Sequence, residues 1–327
     1  MKKAKKAIIL LLSCTILYSC SKEEVALSNG NDSSQESTTE EYTPRWNSVI
    51  DNSIPDNGPI FIGSKYLGVQ NFPCISTPPS LYVGAVFPES SFATTFDKEC
   101  TKPKHKINLT FDFSNPFLAE ITPQWIEYLK MMKNVQVSDE WKQNNQSGCK
   151  FQPYRIRTAD LKSLQDIETL LADNACFGKA LEEIIKQKIQ PSRNLHYTLG
   201  EIVFKGFTVT MDIPANGIFA DSPTETEDLI YIRSLTYGAT AYFVIASKQS
   251  YKEVQDFLKA FPHGRGNLKE AQIVLLTSSD IQQQATVSYS FDSLASFLKE
   301  PMDNYRYGYP ILCSGYRVKD NAQYTIL

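Results

Sequence analysis

The sequence predicts an α+β body of strands and amphipathic helices, and three observations carry that prediction. Residues 229–247, LIYIRSLTYGATAYFVIAS, are an unbroken run of β-formers around one glycine, Gly238. HKINLTFDF (105–113) alternates strictly at Ile107, Leu109, Phe111 and Phe113, the pattern of a half-buried strand. Amphipathic helical stretches stand between such strands, and no internal repeat is present. The run at 229–247 is long for one ordinary strand, so it requires a large sheet or a bend. Gly238 sits where a glycine marks a bulge or a close backbone approach. On its own the run equally fits a buried strand of some other α/β protein.

The elements follow in order. MKKAKKAIILLLSCTILYSC opens with four lysines and a short apolar core, then ends at Leu17-Tyr18-Ser19-Cys20. That core is short for a spanning helix and fits a secretory signal. Its ending resembles a bacterial lipobox, which makes Cys20 the expected lipid anchor and residues 1–20 a lipoprotein signal peptide. The alternative is an ordinary signal peptide with an incidental cysteine. SKEE at 21–24 resembles the acidic surface-export signals of Bacteroidetes lipoproteins. Residues 21–43 hold almost no apolar side chains and read as a disordered acidic tether. At the flexible-chain scaling it would reach roughly 25 Å. The expected site is the bacterial envelope, as a surface-exposed outer-membrane lipoprotein.

The body begins at 44. Residues 44–68 read as loop plus a short strand at PIFIG, and LYVGAVF (81–87) as an apolar strand. ITPQWIEYLKMMKNV (121–135) predicts a helix with Thr122 as N-cap and Pro123 at the first helical position. Tyr154–Arg157 reads as a short strand, and ADLKSLQDIETLLAD and CFGKALEEIIKQKI as amphipathic helices. EIVFKGFTVTMDI (201–213) is a strand with an internal glycine. SYKEVQDFLKAF (250–261) is a helix stopped by Pro262 and Gly264, and AQIVLLTSS (271–279) a buried strand. SFDSLASFLKE (290–300) predicts another helix, and YPILCSGYRVKDNAQYTIL a strand, a turn and a strand.

Composition and motifs exclude several functions. Net charge is −3, so no basic field invites nucleic acid. HExxH, P-loop, GxSxG and GxGxxG are absent, and the three histidines are scattered, so neither an enzyme nor a cofactor is expected. The acidic loop Thr224–Asp228 reads as a solvated turn rather than a Ca²⁺ site, and no metal is expected. Besides Cys14 and Cys20, cysteines stand at Cys74, Cys100, Cys149, Cys176 and Cys313, none in a CxxC. Export permits disulfides, but an odd number leaves at least one unpaired within the chain, and the connectivity is not readable.

The segments from about 80 to 325 resemble, in order and spacing, those of the thiol-activated (cholesterol-dependent) cytolysins. LYVGAVF followed by INLTFDF resembles that family's "YPGALxLA" and the strand after it. FKGFTVTMDIPANGIFAD resembles "IFYTVSxxxPxxPADVF", and 229–247 resembles "VSxVxYGRxxxxKLET". IVLLTSS falls where "AVILGG" would be, and YPILCSGYRVKDNAQY resembles "LPISYTTxFLRDNxxA". The resemblance implies a MACPF/CDC-like core: a bent, twisted central antiparallel sheet flanked by two helical clusters. Residues 44–150 with 191–230 would form the supporting part, and 151–190 with 231–327 the pore-forming-like part. It also implies ring assembly on a membrane, with the clusters refolding into transmembrane hairpins of a closed barrel.

Spanning strands need about 9–11 residues with alternating faces. In the first cluster (160–189) the odd positions include Leu161, Ile167, Leu171, Phe177, Leu181 and Ile185, opposite a charged even face. The same segment reads as plain amphipathic helix. The second cluster is not clean, because Phe257 and Phe261 share a parity with Glu253 and Lys259. The resemblance places Tyr154 and Tyr316 at an aromatic pair between neighbouring subunits, and Gly238 and Gly315 where the sheet bends. No stretch resembles the family's Trp-rich "ECTGLAWEWWR", so the expectation is a truncated member without the cholesterol-recognition domain. Direct cholesterol binding is then not expected, and docking would fall to the anchor or to a longer cytolysin-like partner. Two functions remain: a component of an oligomeric pore-forming or target-membrane-binding system, or a non-lytic surface lipoprotein using the fold for adhesion or as a protective decoy.

Overall fold

Strand β8 (Leu229–Ser247) organises the molecule, with the bounds that the β-former run predicts. A computed structural model describes residues 42–51, 58–63, 80–146, 153–221, 226–260, 268, 271–277, 286–288 and 308–326. Residues Thr43–Leu327 form one compact unit. At about 3.3 Å per residue, β8 runs on the order of 60 Å. Along one edge it pairs antiparallel with β7 (His196–Met211), from His196↔Ser247 to Thr210↔Ser234. Its other edge is shared. β9 (Gln272–Thr277) takes Ala241–Ala246, and β11 (Tyr309–Arg317) takes Ile230–Gly238.

The changeover explains the glycine inside the run. A Cβ on Gly238 would lie 1.9 Å from the Phe204 carbonyl oxygen, and one on Gly308 would lie 2.1 Å from the Gly238 carbonyl oxygen. Opposite Gly238 the β7 register slips between Lys205 and Phe207, a bulge at Gly206. Only a residue without a side chain fits where three backbones crowd in this way.

The upper half of the sheet reads β1 (Asn47–Asp51), β6 (Pro153–Leu161), β7, β8, β9 and β10 (Thr286–Ser288), all antiparallel. The lower half adds β2 (Ile60–Phe61) and β12 (Gln323–Tyr324) on β11. β3 (Val86–Pro88) pairs with the start of β8, and β4 (Ile107–Phe111) pairs with the end of β7 and with β5 (Phe117–Ile121). Helices α1 (Trp125–Val137) and α2 (Asp139–Gln146) close the lower core. There Phe111, Phe113, Trp141, Phe207 and Tyr237 interlock with centroids 5.2–5.9 Å apart.

Several local expectations are corrected. The helix expected at 121 starts at Trp125, because Ile121 ends β5 with its side chain buried against β4. Gln124, not Thr122, is the N-cap, and it is extended with no side-chain cap. Of 81–87 only Val86–Phe87 are strand, since Gly84 turns the chain at φ +89°. The first helical stretch is shorter than its periodicity: residues 159–161 complete β6, and α3 covers only Asp166–Leu170, followed by a 3₁₀ turn at Ala172–Asn174. The four-residue strand expected at 154 is nine residues long, and part of the 44–68 loop is strand β1. β5 and α2 were not expected at all. Residues 1–41, with Cys20, lie outside the described residues, as do Cys74, Cys149, Phe261 and 290–300.

Candidate functional site

The site is the upper sheet with its two helical connections. Residues 162–195 join β6 to β7 and carry α3 and α4 (Ala175–Lys188); residues 248–271 join β8 to β9 and carry α5 (Tyr251–Ala260). Neighbouring residues of a strand face opposite ways, and this separates the two connections. Ile167, Leu171, Phe177, Leu181 and Ile185 pack with Leu161, Leu199, Tyr242, Val244 and Val274 on one face. Val254, Phe257 and Leu258 pack with Ile156, Ile202, Phe243, Ile245 and Ile273 on the other. Phe177 meets the Tyr242 ring edge-on at 5.4 Å. The Asn174 side chain caps α4 by accepting from the Phe177 N–H at 3.1 Å, and Lys186 and Lys188 sit in its last turn.

Thus the apolar residues named for membrane insertion are buried against the sheet, apart from Phe261, which is not described. No helix among the described residues is long and apolar enough to cross a membrane, which says nothing of strands.

A charged cluster lies in the first of these faces. Glu201 of β7 is fully buried, with Arg155 and Arg157 of β6 16% and 24% exposed. Arg155 donates to Glu201 Oε1 through Nη2 at 2.7 Å and Nε at 3.1 Å; Arg157 Nη2 donates to Oε2 at 2.7 Å, and the Tyr242 hydroxyl to Oε2 at 2.6 Å. Burial pushes the Glu201 pKa up, but the two guanidinium charges outweigh it and hold the carboxyl below its ordinary value. Burial likewise opposes the charge on Arg157, and Glu201 restores it, so its pKa is raised. Trp46 and Phe61 rings cover Arg157 and Arg155, each 4.2 Å from the guanidinium carbon. This cluster ties β6, β7 and β8 together. The sequence held its signal, arginines two apart in YRIR and one glutamate in an apolar strand, yet neither motif by itself marks a site.

Gly200 was also missed. A Cβ there would fall 1.9 Å from the Phe243 ring, which lies across the glycine from the next strand. Both edges of the β6–β9 ladder are covered by short strands, β1 on β6 and β10 on β9.

The two tyrosines expected to pair between neighbouring copies lie on separate strands of one chain. Tyr154 is on β6, with its side chain outside the described residues. Tyr316 is on β11 in the lower sheet, where its ring lies 6.0 Å from Tyr231 and 4.6 Å below Arg233. Gly315 adjoins a register slip on β11, and a Cβ there would meet the Phe92 ring at 2.4 Å. Cys313 is buried and Cys100 half-buried, and neither forms a disulfide. Among the described residues no group of acidic, histidine or cysteine side chains could hold a metal.

A sheet whose adjacent strands are joined by two helical segments on opposite faces defines a class: the fold is that of the cholesterol-dependent cytolysins. Pneumolysin superposes with a TM-score of 0.58 at 13% identity, over 86% of this chain and 62% of its own. Intermedilysin, a human-specific toxin, gives 0.59 at 14% identity over the same shares, and suilysin from Streptococcus suis 0.53 at 15%. The chain therefore spans 62% of the length of these structures, and at such identities the likeness establishes the fold. No protein-family model matches the sequence, and no curated protein matches it.

Proposed function

We propose that this protein is a surface-anchored, cytolysin-like lipoprotein and one component of an oligomeric pore-forming or target-membrane-binding assembly. One observation carries the reading. Both connections, 162–195 and 248–271, are long enough for two spanning strands of about 9–11 residues, and their helices, α3 and α4 in one and α5 in the other, pack on the sheet that would extend into them. In this reading β6, β7, β8 and β9 lengthen into two hairpins, and a ring of copies closes the barrel so that no edge is left in lipid. The odd-numbered row from Leu161 to Ile185 would face lipid. Cys20 would anchor the chain in the outer membrane of a bacterial envelope, and a longer cytolysin-like chain would supply target recognition. Enzymatic chemistry has no part in it.

The test is release of an encapsulated dye from vesicles of mixed phospholipid, with and without cholesterol, by the acylated protein. It is run alone and with any longer cytolysin-like chain encoded beside it. Release accompanied by ring-shaped oligomers is expected. Absence of both in every mixture would overturn the reading.

A second reading, adhesion or a protective decoy, rests on α5, whose segment carries Lys252, Asp256 and Lys259 without a clean strand alternation. A non-hemolytic pneumolysin shares this fold at a TM-score of 0.54, so the fold alone does not carry lysis. Tight binding to vesicles or cells without release would favour this second reading.

A further inference from the structure

We propose that residues 42–51 are a strap that holds the unassembled form. β1 covers the edge of β6, while Trp46 and Asn47 pin the two helical connections from opposite faces, so the strap must leave before β6 pairs with a strand of a second copy. The proposal rests on the assembly reading above for its last step only.

The strap touches both of the helical connections that reading requires to move. β1 pairs with β6 at Asn47↔Thr158, Ser48↔Arg157, Ile50↔Ile156 and Asp51↔Arg155. On the α3–α4 face, the Trp46 Nε1–H donates to the Leu170 carbonyl at 3.2 Å, at the end of α3, and its ring covers Arg157. On the α5 face, Asn47 Nδ2 donates to the Tyr251 hydroxyl at 3.0 Å, and Gln255 Nε2 donates to the same oxygen at 2.9 Å. That hydroxyl also lies 2.9 Å from Thr158 Oγ1, so α5, β1 and β6 meet at one atom. Val49 and Ile50 pack into the α5 core, Trp46 into the α4 core.

The register accounts for this two-sided grip. A simple alternation would send Ser48 and Ile50 to the same face. The slip between Ser48 and Ile50 inserts Val49 as an extra residue and returns Ile50 to the α5 side, opposite Ile156.

The strap is also built to be displaced. It holds β6 through four register pairs, one interrupted by the bulge, where β7 holds the other edge of β6 through eight. Short bulged strands are how sheets blunt an edge against pairing with another chain. Once β1 leaves, β6 presents a row of unpaired backbone groups. β9, at the opposite end of the same ladder, carries its own short cover in β10. Two edges of one antiparallel ladder, each masked by a short strand, fit head-to-tail addition of identical copies.

The test uses the full chain in two arms. In the first, Asn47→Cys with Thr158→Cys places cysteines at paired antiparallel positions, within disulfide reach. The oxidised variant is expected to form no oligomers on vesicles, and reductant is expected to restore them, with identically treated wild type as control. Equal assembly in both states would overturn the proposal. The second arm needs no assembly: hydrogen exchange of Trp46→Ala in solution. Trp46 packs on the α3–α4 side, yet loosening one continuous strap should deprotect α5 on the far face as well. Exchange in 166–170 and 251–260 is expected to rise together by about three- to tenfold, the factor for one hydrogen bond's net contribution. A rise confined to 166–170 would overturn the strap as a single device. If wild type assembles under no condition, the assembly reading fails, and this second arm decides the strap by itself.

Discussion

Glu201→Gln removes one negative charge from the centre of the sheet and leaves the shape nearly intact. In the wild type, Glu201 is fully buried and accepts from both guanidiniums and from Tyr242. The variant leaves Arg155 and Arg157 facing each other across a neutral amide that can accept at only one of its two polar atoms. Breaking a buried pair by removing one partner costs about 3–5 kcal/mol. Both arginines keep some access to solvent and each lies against an aromatic ring, which relieves part of that cost. The expected loss is therefore about 3 kcal/mol, at the low end of that range. Urea unfolding followed by tryptophan fluorescence measures it as a shift in midpoint at unchanged slope. The pH dependence adds an independent check. The folded-state pKa of Glu201 is lowered, so its contribution is complete above the unfolded value of about 4.3 and fades as pH falls through the lower folded value. The gap between wild type and variant should thus be constant near neutrality and narrow below about pH 4. A loss under about 1 kcal/mol, the range of solvent-exposed pairs, with no such narrowing, would refute the reasoning.

Three further outcomes are expected. Gly238→Ala should prevent accumulation of folded protein or lower its melting temperature severely, because the added carbon would sit 1.9 Å from the Phe204 carbonyl oxygen; near-wild-type melting would show that the three-strand crossing can open. Phe177→Ala should cost about 3–5 kcal/mol in unfolding experiments as a cavity opens beneath α4; a cost below that would mean that α4 collapses onto Tyr242. Asn174→Ala removes the α4 cap and should cost about 1 kcal/mol while speeding amide exchange in the first turn of α4; unchanged exchange would show that the cap is not what holds that turn.

What the sequence disclosed followed from strength of local pattern. β8 was legible to its ends because its nineteen residues are rich in strand formers and sixteen of them are then buried by partners on both faces and both edges. α4 and α5 were legible because their apolar residues recur at helical spacing, and Pro262 and Gly264 end the stretch that holds α5. The start of α1 was misread because Thr122-Pro123 satisfies the rules for a helix start, while the β5–β4 pairing takes Ile121 first. β5, FLAEI, is short and carries apolar residues on both faces, with Leu118 exposed, so it shows no clean alternation, and α2, DEWKQNNQ, is polar almost throughout. Neither carries a periodic signal strong enough to mark it. In the site, the apolar row from Leu161 to Ile185 was readable, because it serves as the buried face of the helices. The Arg155–Glu201–Arg157 cluster and the grip of Trp46 and Asn47 were not. Both depend on registers between strands far apart in sequence, and local spacing holds no record of them.

The central claim is that 162–195 changes from helix to strand when the protein meets a membrane. Single cysteines carrying a polarity-sensitive fluorophore, placed one at a time from 177 to 189 in an acylated background that keeps Cys20 and no other native cysteine, measure this directly. In solution the buried positions recur with helical spacing, as Phe177, Ala180, Leu181, Ile184 and Ile185 do. On vesicles the apolar signal is expected to move to every second residue, with 177, 181 and 185 in lipid and 182, 186 and 188 in water. Retention of the helical spacing on vesicles that the protein has bound would contradict the account.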